Sequence, residues 1–565
     1  MGKKVLIVGG VAGGASAAAR IRRLDESAEV IMFERGPDVS FSNCALPYHL
    51  SGMIEDADSL VLVDPEDFRT RYNIEARTNS EVIRIKRAEK KVVVRDLVKG
   101  DEYEESYDKL ILSPGARPIL PKSIQGIDRP NVFSIRNVVD IRRLNGYLVS
   151  KDIEQVAVIG GGFIGIEVAE NLRLAGKKVT LIEALDQVMA PFDYEMAQIL
   201  HKEIVDNGIH LILNDGLKAV HDGFVELQSG KRVEAGAVVM AIGVSPEVDL
   251  ARDAGLLVGK TGGIKVDHNY QTSDKDIYAV GDAIEVYNRL TQKETRLALA
   301  GPAQRQARAA ADHIYGIPHK NNGVIGSSIV RIFNMNAAST GINEKTAKAE
   351  GIPYDYVYII GNDKVGLMPD SNPMHFKLIY EYPTGRILGA QAIGRGNVDK
   401  RIDVVATLIH MGGTLEDMKE LELCYAPLFG TARDIVNQAA LVGLNILHGR
   451  FKQVPVYRVR ELVEKGAFIV DVREEEEYKA GHLINAVNIP LSQLRERLDE
   501  IPKDQPVYLA CRSSQRSYNA VMALQHLGYT NIYNISGSFL GICYYEYFTD
   551  MVTGRKKIVT NYNFN

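Results

Sequence analysis

One arrangement occurs twice in this chain and constrains its fold more than any other feature. Val5-Leu6-Ile7-Val8 is a short apolar run that ends in Gly9-Gly10-Val11-Ala12-Gly13-Gly14. An Ala-rich helix follows from Ala15 to Leu24, then a second apolar run, Val30 to Phe33, closing on Glu34. The same order returns at Val156 to Ile159, Gly160-Gly161-Gly162-Phe163-Ile164-Gly165, a helix to about Ala175, and Val179 to Ile182 closing on Glu183. Strand, glycine turn, helix, strand and acid make up a dinucleotide-binding unit. The glycines allow a tight turn, and the helix N-terminus receives a pyrophosphate. Two such units predict two Rossmann-like domains and two nucleotides.

The second turn fits Gly-x-Gly-x-x-Gly at Gly160, Gly162 and Gly165. Glu183 is placed to accept hydrogen bonds from ribose hydroxyls and to repel a 2′-phosphate, which favours NADH over NADPH. The first turn departs from the pattern, with Val11 at the middle glycine position. It is supported by Thr272-x5-Tyr278-Ala279-Val280-Gly281-Asp282, where a strand-end carboxylate can reach a flavin's ribityl hydroxyls. Together the three elements point to FAD in the first unit and a nicotinamide in the second.

Residues near 80–110 alternate as strands. Leu110 to Ser113 and Val238 to Ile242 read as strands returning to the first and second units. The resulting map places an FAD-binding domain at 1–150 and 274–324 and an NAD(P)H-binding domain at 151–273. A mixed strand-and-helix domain follows at 325–447. His448 to Pro455 reads as a linker, and a further α/β module occupies 455–548.

Hydrophobic residues make up 45% and charged residues 25%, the balance of an ordinary globular chain. A net charge of −5 gives no electrostatic footprint for nucleic acid. No apolar run reaches the roughly 18 residues that would span a bilayer, and the N-terminus runs directly into a strand rather than a signal peptide. The four cysteines, at 44, 424, 511 and 543, make neither a disulfide scaffold nor a zinc pair. These features predict a cytoplasmic protein without a metal, a membrane or a nucleic-acid partner.

Cys44 stands alone in Ser40-Phe41-Ser42-Asn43-Cys44-Ala45-Leu46-Pro47-Tyr48. Several segments together resemble the coenzyme A disulfide reductases over about residues 3–447. They are this one, the Gly9 to Ser16 turn, Thr272 to Asp282, Leu299-Ala300-Gly301-Pro302 and Asp399-Lys400-Arg401-Ile402-Asp403. The resemblance implies a homodimer with a dimerisation domain at 325–447 and an active site that borrows residues from the partner. It implies FAD contacts at Gly9, Ala12, Gly14, Glu34, Asp282 and Ala300, and an aromatic flavin cover at Phe163. Usual flavin disulfide reductases carry Cys-x4-Cys in this segment, so a lone Cys44 implies exchange with a small thiol. By position, Ser40 and Asn43 flank that catalytic thiol, Arg20 and Arg23 contact coenzyme A phosphates, and Arg71 adds to them. Tyr425, in Leu421-Glu-Leu-Cys-Tyr-Ala-Pro427, matches the family tyrosine that reaches across the dimer to the reactive sulfur. Leu367-Met368-Pro369-Asp370 stands where the family has Tyr-Tyr-Pro-Gly, so the second tyrosine is missing. Cys424 is expected to be a small buried residue.

The C-terminal module resembles a rhodanese domain through Asp471-Val472-Arg473-Glu474, Gly481-His482 to Pro490, and Cys511-Arg512-Ser513-Ser514-Gln515-Arg516. Cys511 follows a strand and opens a loop into a helix, where backbone amides lower a thiol's pKa and hold an anionic persulfide. Arg512 and Arg516 add positive charge. Cys-x4-Arg is the rhodanese spacing, against Cys-x5-Arg in the related phosphatases. Ser514 replaces the usual loop glycine, and Cys543 reads as a packing residue. The expected activity is NADH-dependent reduction of coenzyme A persulfide, polysulfide or disulfide through Cys44, joined to sulfur transfer at Cys511. Three alternatives stand beside it: coenzyme A disulfide reduction alone, an NADH oxidase or peroxidase with a sulfenic acid, and a redox-sensing interaction protein.

Overall fold

The computed structural model describes residues 2–564. The chain divides into two compact units, 1–184 with 214–324, and 185–213 with 325–565. In the first unit a parallel sheet runs in the order Ile277–Ala279, Lys109–Leu112, Lys4–Val8, Glu29–Phe33 and Glu75–Arg77. The inner strands are almost continuously apolar because both of their faces are covered. The helix Ala12–Leu24 begins three residues before the expected Ala15, taking in Gly13 and Gly14. It packs on the helix Ala300–Ile314 through small residues on both, including Ala17, Ala307 and Ala310.

The second glycine unit builds its own parallel sheet, with Lys178–Ile182, Gln155–Ile159, Ala237–Met240 and Val132–Phe133 as successive neighbours. The alternating stretch near 80–110 forms an antiparallel sheet of Ser80–Lys86, Lys91–Asp96 and Glu102–Ser106. Two Rossmann-like folds are therefore present, as expected.

In the second unit, five antiparallel strands run in the order Ser327–Ile332, Met335–Gly341, Ile387–Gly394, Pro373–Glu381 and Tyr354–Asn362. Helices Val398–Met411 and Ile435–Leu447 pack against this sheet. Lys377 is wholly buried and is paired with Asp193, Glu195 and Glu344, which ties the helix Tyr194–Asp206 to the sheet. Burial pushes the Glu195 carboxyl up, against the opposing pull of the Lys377 charge.

A second sheet in this unit is parallel, in the order Lys452–Val454, Ile532–Ile535, Val507–Ala510, Phe468–Asp471 and Val487–Asn488. Residues 452–454 were expected to be linker but form its edge strand. A three-residue polar-apolar segment carries no strand signal until a partner is present. The last long helix, Ser538–Thr553, buries Cys543 completely. Among the described residues, no helix is long and apolar enough to cross a membrane.

Candidate active sites

Both glycine turns sit at the C-terminal ends of central strands and are built alike. Gly9 has φ +97°, and a Cβ there would overlap the Ser113 carbonyl oxygen. A Cβ on Gly14 would overlap the Gly9 carbonyl. In the second turn, Gly160 has φ +108° and faces the Ala241 carbonyl, while Gly165 faces that of Gly160. A Cβ on Gly162 would meet no protein atom within 4 Å, so the backbone there is open to close approach.

Neither following helix has a side-chain N-cap or an acid in its first turn. Such uncapped N-terminal amides fit a pyrophosphate. Glu34 accepts from the amides of Gly10 at 2.9 Å and Gly36 at 3.0 Å, and Glu183 from that of Gly161 at 2.6 Å. Each carboxylate is thereby fixed beside its turn. The residues present fit two dinucleotides, with Val11 at the middle position of the first turn leaving its geometry intact.

The Gly281 amide donates to Gln306 at 2.7 Å, in a 3₁₀ turn that presents Asp282 at the end of Ile277–Ala279. Burial pushes the Asp282 carboxyl up. Ala300 begins the helix Ala300–Ile314 and Phe163 begins the helix Phe163–Leu174.

Cys44 lies exposed in the 3₁₀ turn Asn43–Ala45, directly before the short helix Leu46–Leu50. The segment is anchored at both sides. The Ser40 amide donates to the Gly10 carbonyl at 2.7 Å, with Ser40 itself at φ +48°, and Asn43 donates to the Arg136 carbonyl at 3.1 Å. A serine in left-handed backbone next to a glycine turn is strain held by its surroundings. The first anchor ties the thiol's loop to the first nucleotide turn. Leu46–Leu50 packs on Phe163–Leu174, where Tyr48 donates to Glu167 at 3.4 Å.

Burial pushes Glu167 up to about 7, and burial together with Glu167 and Asp282 pushes the Cys44 thiol up. Cys44, Glu167 and Asp282 thus converge from three distant stretches of chain. Glu167 was not singled out in the sequence. Its only signal is its spacing of four from Phe163, which puts both on one helix face.

Arg20 is ion-paired to Asp312 at 2.5 Å, Arg23 is exposed at the end of the same helix, and Arg71 is exposed and paired to Asp67 at 2.9 Å. Arg22 between them is buried and donates to the carbonyls of Asp25, Glu26, Ala28, Tyr72 and Asn73. It pins the end of Pro65–Tyr72, which carries Arg71, to the end of the helix carrying Arg20 and Arg23.

In the second unit, Tyr425 is 49% exposed within a segment that has no regular structure. Cys424 is exposed, which corrects the expectation that it is buried. Leu428, Phe429 and Leu367 are also exposed, so this part of one chain leaves apolar groups uncovered rather than packing them. Leu367 is 87% exposed and offers no hydroxyl in place of the missing tyrosine.

Cys511 directly follows the strand Val507–Ala510 and is 1% exposed. Its amide donates to Ser538 Oγ at 2.7 Å, while Ser517 Oγ and Ser538 Oγ lie 3.5 Å and 3.9 Å from Sγ. Arg516 is held by a bidentate pair with Glu477 at 2.6 Å and 2.7 Å. Burial pushes the Arg512 guanidinium down. Ser517, Ser538 and Glu477 were missed because no local spacing marks them.

Ser514 caps the next helix at φ +75° and donates to the Ile535 carbonyl at 2.9 Å. This backbone explains why glycine suits the position. Left-handed strain of about 1–2 kcal/mol is opposed by a buried hydrogen bond of about 1 kcal/mol. Ser514→Gly is therefore expected to leave Tm almost unchanged. Ser514→Ala keeps the strain and loses the bond, so it should lower stability by about 1–2 kcal/mol. Thermal melting of both variants checks this, and an equal loss in the two would contradict it.

The pyridine nucleotide-disulphide oxidoreductase family matches residues 3–307, its dimerisation domain residues 327–435, and a rhodanese-like domain residues 456–543. A Coenzyme A disulfide reductase of Staphylococcus epidermidis is 33% identical over 77% of this chain and 98% of its own. The crystal structure of reduced Bacillus anthracis CoADR-RHD is 42% identical, with a TM-score of 0.93, over 96% of this chain and 98% of that one. A NAD-dependent persulfide reductase from A. fulgidus is 34% identical, with a TM-score of 0.90, over 95% and 99%.

Proposed function

Since this chain belongs to the pyridine nucleotide-disulphide oxidoreductase family, we propose that it reduces coenzyme A persulfide, polysulfide and disulfide with NADH, and that a rhodanese domain in the same chain transfers sulfur. The observation that carries this reading is the lone Cys44, exposed and tied to the first nucleotide turn, with no second cysteine in its segment. With no local partner for a disulfide, such a thiol is suited to exchange with a small-molecule sulfur.

FAD, when bound, relays two electrons from NADH to sulfur. The chain's own groups do the rest. The Cys44 thiolate attacks one sulfur of the substrate S–S bond, forming a new S–S bond while the other sulfur leaves as a thiolate that takes a proton. Two electrons and one proton then cleave the S–S bond on Cys44, restoring its thiolate and releasing the second thiol. Arg20, Arg23 and Arg71 hold the coenzyme A phosphates, with Ser40 and Asn43 beside the thiol. Cys511 carries sulfane sulfur, with Arg512 and Arg516 lending positive charge. Glycines 9, 14, 160, 162 and 165, with Ala12, Glu34, Asp282, Ala300, Phe163 and Glu183, hold the two nucleotides.

The working form is a homodimer, which would cover Leu367, Leu428 and Phe429. In it Tyr425 serves the partner's sulfur site. Four free cysteines suit a reducing cytoplasm. Mass spectrometry of the purified protein tests the reading through FAD and a coenzyme A adduct on Cys44. Absence of FAD would overturn it.

Two further outcomes follow. A fixed carboxylate at Glu183 repels a 2′-phosphate, so kcat/KM should be at least about tenfold higher with NADH, or about 1.4 kcal/mol. Equal efficiency with NADPH would assign the choice to another residue. Tyr425→Phe should lower kcat by about 10²-fold or more, the usual contribution of a general acid, with little change in KM. A phenol acts on charge that develops as the S–S bond breaks. Steady-state rates at several pH values decide this, and a loss confined to KM would make Tyr425 a binding residue.

A further inference from the structure

The Cys511 loop rests on the segment that begins the last long helix. Cys511 donates its amide to Ser538 Oγ, and the amides of Phe539 and Leu540 donate to the carbonyls of Cys511 and Arg512, each at 3.0 Å. The first turn of Ser538–Thr553 is thus the platform under the nucleophile.

That platform is set in turn by a residue of the antiparallel sheet within the same compact unit. Ser536 Oγ donates to the Tyr358 carbonyl at 3.1 Å. Gly537, at φ +70°, lies so close to the Tyr358 ring that a Cβ there would overlap Cε1, and Gly541 faces the same ring edge. The ring itself is fixed. Tyr358 is buried, its hydroxyl lies 2.7 Å from His375 Nδ1, and His375 packs edge-to-face on Tyr544 of the last helix at 4.9 Å. Burial, followed by the Arg512 charge, pushes His375 down to about 3, so its ring stays neutral and this bond does not change with pH in the working range.

From this chain of contacts we propose that Tyr358, locked by His375, is a positioning residue for Cys511. The ring fixes Gly537 and Ser538, and Ser538 fixes the Cys511 amide. The sulfur-transfer site is then built jointly by the antiparallel-sheet domain and the rhodanese domain, which explains why the two are packed as one body. The inference rests on the sulfur-transfer reading of Cys511.

The test is a double-mutant cycle on the full-length holoenzyme, with Tyr358→Leu, Ser538→Ala and both together. Sulfur transfer from thiosulfate to cyanide and the rate of Cys511 alkylation by iodoacetamide are both measured. Each single variant should lower kcat for transfer by about tenfold while KM for thiosulfate stays within twofold. The double variant should lose no more than the larger single loss, because Tyr358 acts through Ser538. Tyr358→Phe keeps the ring and removes the bond to His375, so it should show a smaller loss in kcat of the same kind. It replaces the leucine variant if that one fails to fold.

Unchanged kcat in a folded Tyr358 variant, a loss confined to KM, or losses that multiply in the double variant would each overturn the proposal. If wild type and Cys511→Ala transfer sulfur equally poorly, the functional reading has failed instead. The alkylation rates, which need no sulfur chemistry, then decide the positioning claim by the same non-additivity.

Discussion

Cys44→Ser is expected to abolish NADH-dependent reduction of coenzyme A persulfide while FAD remains bound. Cys44 is the only thiol in its segment, and its loop is tied to the first nucleotide turn through backbone groups, Ser40 to Gly10, which the substitution leaves in place. Loss of a nucleophile removes the covalent route entirely, an effect of roughly 10⁴–10⁶-fold. The hydroxyl of serine is a poor substitute because it does not ionise in the working pH range and its oxygen makes no exchangeable bond with sulfur. Steady-state NADH consumption with coenzyme A persulfide, together with the flavin absorbance of the purified variant, reads both halves of the expectation. Substantial turnover by the serine variant would place the reactive sulfur elsewhere.

Cys511→Ala is expected to remove sulfurtransferase activity yet leave direct reduction of pre-formed coenzyme A persulfide within about twofold, or about 0.4 kcal/mol in the barrier, because it removes no group that reacts in that step. Cys511 and Cys44 lie in separate compact units with separate supporting loops. Cys511 is buried over Ser517 and Ser538, whereas Cys44 is exposed in a 3₁₀ turn. Two thiols in such different surroundings suit two different steps, one that stores sulfane sulfur and one that exchanges with a soluble thiol. Parallel assays of transfer and reduction, with melting curves to check the fold, separate them. Should both activities fall together in a folded variant, the rhodanese cysteine takes part in reduction.

What the sequence made legible was the local chemistry. The two glycine turns are visible because their glycines recur at a fixed short spacing, and the last of each answers a constraint five residues away, Gly14 against the Gly9 carbonyl and Gly165 against that of Gly160. Cys44 and Cys511 stand out because the surrounding residue types are unusual at short range. The sequence marked Ser514 only as a departure from the usual loop glycine, and the structure shows that the serine keeps a left-handed backbone at φ +75°.

What remained hidden depends on residues far apart in the chain. Arg20 meets Asp312, Arg516 meets Glu477, and Cys511 rests on Ser538, and none of these pairs has a spacing that marks it. Lys452–Val454 is a strand only because Ile532–Ile535 lies beside it. Cys424 was expected to be buried from its residue type alone, but exposure is decided by what covers a segment, and within one chain nothing covers this one.

The central claim is that Cys44 passes reducing equivalents to a coenzyme A-bound sulfur. The most direct measurement is NADH consumption by the purified holoenzyme with coenzyme A persulfide, set against hydrogen peroxide and air-saturated buffer at equal enzyme concentration. Rapid NADH oxidation with the persulfide, releasing coenzyme A and sulfide, and little with either oxygen species, is the predicted result. Rapid turnover with peroxide or oxygen and none with the persulfide would contradict it, and would make Cys44 the sulfenic acid of an oxidase or peroxidase.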